Sequence, residues 1–205
     1  VLFSKPSAGR EESAQPSTQP VCMPGRTKAG SAASRRGHAS TAATAAPLAL
    51  PKRIEAAAEN GKVGVVQTWL AGDGLVDATC VRRGVSGCTL LLIAAEHGHK
   101  QLVEVVLERG AEADARDSEG CTALKAAAAK SHERVAEMLL RHGAGINLQD
   151  REGSTALMSA AANGHERVAE MLIQHGAEIN LQDSKHGYTA LMAAAANGDE
   201  RVARS

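Results

Sequence analysis

A period of about 33 residues runs through most of the sequence. A motif of Gly, a variable residue, Thr, a second variable residue and Leu recurs at intervals of 33, 33 and 34 residues. Its four copies begin at Gly87, Gly120, Gly153 and Gly187. The octapeptide His-Glu-Arg-Val-Ala-Glu-Met-Leu also occurs unchanged at residues 132–139 and 165–172. A period of this length predicts a solenoid, in which each unit buries its apolar side chains only against its neighbours.

Each repeat has the pattern of two helices joined by a turn. Thr122 precedes a run of Ala and Leu, and its hydroxyl can cap the first free N–H groups, so a helix is predicted to begin there. A second helix is predicted from about Glu133 to Arg141, where apolar residues recur at helical spacing, with a stop at Gly143. Residues 117–120 have turn composition and predict a short projecting finger. Aromatic residues make up only 1% of the chain, which also favours close-packed helices.

The repeats resemble the ankyrin repeat. Residues 153–158, 160–164 and 171–177 follow that family's Gly-x-Thr-Pro-Leu-His, Ala-Ala-x-x-Gly and Leu-Leu-x-x-Gly-Ala segments. The resemblance covers about residues 51–205 and implies an all-α solenoid of helix-turn-helix repeats with short β-hairpin fingers. The sequence departs from the pattern where Lys125 replaces the family's His and where Ser131 replaces the Gly that ends the first helix. A left-handed backbone at a serine costs about 1 kcal/mol.

The chain divides near residue 50. Residues 1–50 hold six Lys and Arg against two Glu, are rich in Ser, Ala and Pro, and lack apolar periodicity, so a disordered basic tail is predicted. The Arg-rich, acid-free stretch 26–41 leaves an organelle transit peptide as an alternative. The repeat domain, residues 51–205, is predicted to contain units 51–86, 87–119, 120–152 and 153–186 and a partial unit 187–205.

The two ends of the repeat domain are irregular. The first unit carries a finger four residues longer than that of the next repeat. Its charged residues Lys52, Arg53, Glu55 and Glu59 are expected to face water, as in an N-terminal cap. The last unit contains only the first turn of a second helix, so we expect this end to fray or to belong to a longer protein.

The sequence offers no set of residues for catalysis, metal binding or cofactor binding. His99, His132 and His165 recur at one turn position, and no Cys or carboxylate cluster completes a metal site, so they are interpreted as surface or helix-end residues. The cysteines are expected to be free thiols, with Cys88 and Cys121 as exposed contact residues. No cofactor, no metal and no enzymatic activity are predicted.

The resemblance implies a protein-binding scaffold or adaptor that uses the concave side of the repeat stack. An alternative is a regulatory or targeting segment of a larger enzyme whose catalytic domain lies outside this chain. The candidate contact residues, on the finger tips and first-helix ends, are Glu96, His97, Ser118, Glu119, Cys121, Lys130, Arg151, Glu152, Ser154, Asn163, Lys185, His186, Tyr188 and Asn197.

The expected partner is another protein. Neither a basic cluster with interleaved aromatic residues, as nucleic-acid binding needs, nor an apolar run of about 18 residues, as a membrane span needs, is present. We therefore expect that the chain binds neither nucleic acid nor membrane, and we also expect it to be a monomer. The cytoplasm is the expected location, with organelle import through residues 1–50 as the alternative.

Overall fold

A computed structural model describes residues 49–196. Helices come in pairs along this part of the chain: α1 (Lys52–Glu59) and α2 (Val63–Ala71), α3 (Leu90–Glu96) and α4 (Lys100–Glu108), α5 (Ala123–Ala129) and α6 (Glu133–Arg141), α7 (Ala156–Ala162) and α8 (Glu166–Gln174), then α9 (Ala190–Ala196). Strands β1 (Thr79–Arg82) and β2 (Val85–Thr89) precede α3. The predictions of a tail before Ala49 and of fraying after Ala196 concern residues outside this range.

The first helix of each later repeat begins at the predicted threonine. The hydroxyls of Thr89, Thr122 and Thr155 each accept a hydrogen bond from the N–H three residues ahead, at 3.2–3.3 Å. This contact satisfies one of the amides that have no partner within the helix. The predicted capping is therefore confirmed.

The first helices end in a left-handed residue. Gly61, Gly98 and Gly164 have φ of 62°, 71° and 68°. Ser131 takes the equivalent position with φ 61°, as its place in the repeat predicted. The turn geometry is thus kept in the four repeats whose first helix ends within the described residues, and in one of them by a residue with a side chain.

The core runs without interruption through the stacked helix pairs. Small side chains, such as the fully buried Ala94, Ala127 and Ala160, allow the first helices α3, α5 and α7 to pack against one another. The second helices contribute larger side chains, such as Val135 and Leu139, which are 2% and 0% exposed. Burial between neighbours stabilises every repeat, because a single pair of helices would leave this surface in water.

The first finger is an antiparallel β-hairpin. Cys80 lies opposite Cys88, and the pairing is irregular between Cys80 and Arg82. Two left-handed residues, Arg83 (φ 49°) and Gly84 (φ 86°), form the turn. With its four additional residues this finger forms two paired strands, whereas the later fingers in the described range are turns.

Each later finger is closed by one aspartate. Asp150 Oδ1 accepts hydrogen bonds from the amides of Glu152 and Ser154, at 2.9 and 2.8 Å. Asp117 and Asp183 make the equivalent contacts in their own fingers. Successive fingers are then joined by backbone hydrogen bonds of 2.7–3.0 Å, which are Ser118 N to Ser86 O, Arg151 N to Glu119 O and Ser184 N to Glu152 O.

The N-terminal edge of the repeats begins before Pro51. Ala49 pairs with Thr79, and the amide of Leu50 donates to the Thr79 carbonyl at 2.8 Å. Leu50 is 4% exposed and belongs to the core. Trp69 on α2 is half-buried and packs against the core from its edge.

The recurring histidines join one repeat to the preceding one. Nε2 of His99, His132 and His165 lies 2.7, 3.1 and 3.1 Å from the carbonyl oxygen of residues Glu59, Glu96 and Ala129. Because a carbonyl only accepts, this nitrogen carries the proton. The histidines lie at the helix ends, as expected, but they are half-buried and hold the repeats together rather than simply facing solvent.

Candidate binding surface

The fingers and the adjacent ends of the first helices form one surface, which we call the finger face. A groove of about 270 Å³, groove A, lies on it where the first two fingers meet α3 and α5. Its lining residues are Arg82, Arg83, Val85, Cys88, Leu92, Glu96, Asp117, Cys121, Ala126, Ala129 and Lys130. Apolar side chains from three elements therefore share a wall with charged ones.

Arg82 fixes the hairpin against the first helices. Its guanidinium lies 2.6 Å from Glu59 Oε1, 2.7 Å from Glu96 Oε2 and 3.5 Å from Glu55 Oε1. The Arg82 side chain is only 10% exposed, so these contacts are poorly screened by solvent. One cation thus connects β1 to both α1 and α3.

This arrangement corrects the expectation that Glu55 and Glu59 face water. Both are half-buried and bind Arg82, because the longer first finger folds over α1. The charged residues of that helix that face water are Lys52 and Arg53. Arg82 itself was missed, and its only signal in the sequence was the additional length of the finger.

Glu96 has an environment unlike that of an ordinary surface carboxylate. Burial alone would raise the pKa of Glu96, but the hydrogen bond and the positive charge of Arg82 outweigh it and hold the pKa below the usual value. Glu96 therefore stays ionised within the groove wall, with its charge matched by Arg82.

The cysteines do not match the expectation of exposed contact residues. Cys88 is 3% exposed, because its position on β2 turns the side chain inward, opposite Cys80. Cys121 is half-buried in groove A. Burial raises the pKa of both Cys80 and Cys121 to about 11, so these thiols are protonated at neutral pH and are poor nucleophiles.

A partly buried ion pair lies beside groove A. Lys125, which stands where the ankyrin pattern has His, binds the carboxylate of Asp150 in the next finger. Burial lowers the pKa of Lys125. The side chains of Lys125 and Asp150 are 16% and 11% exposed. The pair thus replaces contacts of the family's His with a link between two repeats.

A second groove of about 280 Å³, groove B, lies farther along the finger face, between α7, α9 and the last described finger. Its lining residues are Ser154, Met158, Ser159, Ala162, Asn163, Asp183, Tyr188, Thr189 and Ala193. Tyr188 is 50% exposed, and its ring stacks on His186 with centroids 5.3 Å apart. Groove B therefore presents an exposed aromatic ring beside polar side chains.

The candidate contact residues divide among the grooves and the finger rims. Groove A contains Glu96, Cys121 and Lys130, and groove B contains Ser154, Asn163 and Tyr188. The candidates that line neither groove are His97, Ser118, Glu119, Arg151, Glu152, Lys185 and His186. Asn197 lies outside the described residues.

Some of these rim residues have structural contacts. The hydroxyl of Ser118 accepts from the amide of Ser86 at 3.1 Å, and Lys185 Nζ lies 3.3 Å from Glu152 Oε1. The apolar groove walls, such as Leu92 and Ala126, were not expected from repeat position. These positions carry small or apolar residues in most repeats, so their place in the repeat did not distinguish them from the core.

Neither a metal-binding cluster nor a membrane-spanning helix occurs in residues 49–196. Within that range no group of three or more His, Cys, Asp and Glu side chains is placed to hold a metal ion. None of the helices there combines the length and apolar composition that crossing a bilayer requires.

Comparison with known families identifies the type of repeat. The family model for ankyrin repeats, described as three copies, matches residues 54–150 and 142–205. A search of curated proteins found no match. Ankyrin repeats are in general protein–protein interaction modules and are typically non-catalytic. Because the match extends over most of the chain and agrees with the paired helices and fingers, this protein belongs to the ankyrin repeat family.

Proposed function

We propose that the chain is a non-catalytic adaptor that binds another protein through the finger face. The observation that carries the proposal is the contrast between the two sides of the repeats. Grooves A and B combine apolar walls with polar rims, which is the composition of interface centres. The depressions between second helices are lined mostly by charged side chains such as Lys100, Glu104 and Arg134.

The contacts of the reactive side chains support a non-catalytic role. His99, His132 and His165 have their Nε2 atoms bound to backbone carbonyls of the neighbouring repeat. Buried thiols with pKa values of about 11, at Cys80 and Cys121, lack the thiolate that nucleophilic catalysis uses. These residues serve the stacking of repeats and the wall of groove A.

Charge reversal on the finger face tests this function. Arg151 and Lys185 are exposed on finger rims, and replacing both by Glu should leave the buried contacts intact. The matched control reverses Arg134 and Arg167, which are exposed on α6 and α8. Affinity purification from the native organism should recover the partner with the wild type and the control but not with the finger variant. If the partner were lost only with the control variant, the binding surface would lie on the second helices instead.

A further inference from the structure

We propose that groove A receives an apolar side chain of an extended acidic peptide in the partner protein. This inference rests on the proposed use of the finger face and names the chemistry that one part of it recognises. Three observations carry it: the size of the groove, its apolar wall and the charges at its rim that have no counter-ion.

The size of groove A suits a side chain rather than a whole small molecule. Its volume of about 270 Å³ lies just below the roughly 300–1,000 Å³ of typical small-molecule pockets. Val85, Leu92, Ala126 and Ala129 line it with aliphatic surface. An aromatic or branched aliphatic side chain inserted there would remove apolar surface of both partners from water.

The carboxylates that line groove A already have partners within the protein. Glu96 is bound by Arg82 at 2.7 Å, and Asp117 Oδ1 accepts from the amides of Glu119 and Cys121, both at 2.9 Å. Arg82 has further negative neighbours on α1, but those two glutamates do not line the groove. A basic peptide would therefore have to compete with contacts that are present in the unbound protein.

The two cations at the rim, in contrast, have no ion-pair partner among the described residues. Arg83, at the tip of the hairpin, and Lys130, at the end of α5, are both exposed. Neither takes part in the ion pairs found among residues 49–196. The positive charge of Arg83 nevertheless reaches the groove, because it contributes to the lowered pKa of Glu96. Acidic residues on either side of an inserted apolar side chain would supply the missing counter-ions.

Synthetic peptides test the proposal on the full chain. The probe is a short peptide with a central Phe between glutamates, and its comparison peptides replace the Phe by Ala or every Glu by Lys. Methyl resonances of Val85, Leu92, Ala126 and Ala129 report on groove A by NMR titration. We expect the Glu–Phe peptide to shift these resonances in a saturable way. The Ala peptide should bind at least about tenfold more weakly, as expected when a buried anchor is lost.

A double variant tests the charges separately. Replacing Arg83 and Lys130 by Glu should weaken the binding of the Glu–Phe peptide at least about tenfold, because electrostatic attraction between the rim and the peptide becomes repulsion. Reversal of Arg134 and Arg167 on the second helices changes net charge equally and should leave the affinity unchanged. Equal binding to both variants, or tighter binding of the Lys peptide, would overturn the assignment of an acidic partner.

The location of the NMR shifts shows which proposal fails, the peptide site in groove A or the use of the finger face on which it rests. Shifts confined to groove B, at Met158 or Ala193, would overturn the assignment to groove A and leave the finger face as the binding surface. Shifts on α4, α6 and α8 alone would contradict both proposals. A Glu–Phe peptide that shifts no resonance at millimolar concentration would overturn the assignment to groove A.

Discussion

The imidazole of His132 packs directly on Gly98 of the preceding repeat. A Cβ at Gly98 would lie 2.5 Å from the ring Nδ1, while Nε2 of the same ring binds the Glu96 carbonyl at 3.1 Å. Gly98 is also left-handed, with φ 71°. Position 98 is therefore constrained twice, by its own backbone and by the ring from the next repeat.

Gly98→Ala should destabilise the repeats more than an ordinary left-handed glycine substitution. The backbone alone accounts for about 1–2 kcal/mol. Displacement of the His132 ring should add about 1 kcal/mol or more, because its hydrogen bond to Glu96 is strained or lost. Urea unfolding followed by circular dichroism measures the difference.

Gly110→Ala is the matched control for that substitution. Gly110 has φ 84°, but nothing lies within 4 Å of an added Cβ. It should show the backbone effect alone, about 1–2 kcal/mol. Equal losses of stability in the two variants would show that the ring moves aside freely and that the contact does not restrict position 98.

Ser131→Gly should stabilise the protein. Ser131 holds φ 61° in the position that glycine occupies in the other repeats, and removing this strain should raise the free energy of unfolding by about 1 kcal/mol. The measurement is Tm by circular dichroism. Lys130→Gly serves as the control, because Lys130 has φ −112° and gains nothing from a glycine. A Tm that is unchanged or lower for Ser131→Gly would contradict the strain at this turn.

The features that the sequence predicted well depend on contacts within a few residues. Thr122 caps an amide three residues ahead, and the turn at Ser131 is set by hydrogen bonds within its own helix end. The helix Glu133–Arg141 has the bounds expected from its apolar spacing. Such short-range patterns recur in each copy of the repeat, which makes them readable from one chain.

The features that were missed depend on contacts between distant residues. Arg82 binds Glu59, which is 23 residues away, through an irregular hairpin whose register was not evident from composition. Cys88 is buried because of its partner strand, not because of its place in the repeat. Groove A likewise combines two fingers and two helices, so the repeat positions pointed to Glu96, Cys121 and Lys130 but neither to Arg83 at the rim nor to the apolar wall.

The pair of Lys125 and Asp150 should respond unequally to the loss of either partner. Asp150→Ala leaves Lys125 without its counter-ion and frees the amides of Glu152 and Ser154, so a loss of about 3 kcal/mol or more is expected. Lys125→Met keeps the aspartate bound to both amides, and Met158 already fills the equivalent position in the next repeat. The Lys125→Met variant should lose about 1 kcal/mol or less of its free energy of unfolding. Similar losses in urea unfolding would show that the ion pair, rather than the turn, determines the role of Asp150.

Arg82→Gln should remove stability that depends on pH. Because Arg82 holds the pKa of Glu96 below its usual value of 4.5, the ionised carboxylate stabilises the fold above that pH, and this stabilisation is lost as pH falls below it. The variant should be about 2 kcal/mol less stable than the wild type near pH 7, the scale of hydrogen bonds to charged groups. The difference should shrink as pH falls below 4.5.

The control for this pH dependence is Arg141→Gln. Arg141 pairs with Glu137 at 2.5 Å, but the two side chains are 73% and 42% exposed, so solvent screens the pair. Its removal should change stability by at most about 0.5 kcal/mol. Urea unfolding at several pH values measures both differences. If the difference between wild type and Arg82→Gln stayed constant down to pH 3, ionised Glu96 would not be the group through which Arg82 stabilises the fold.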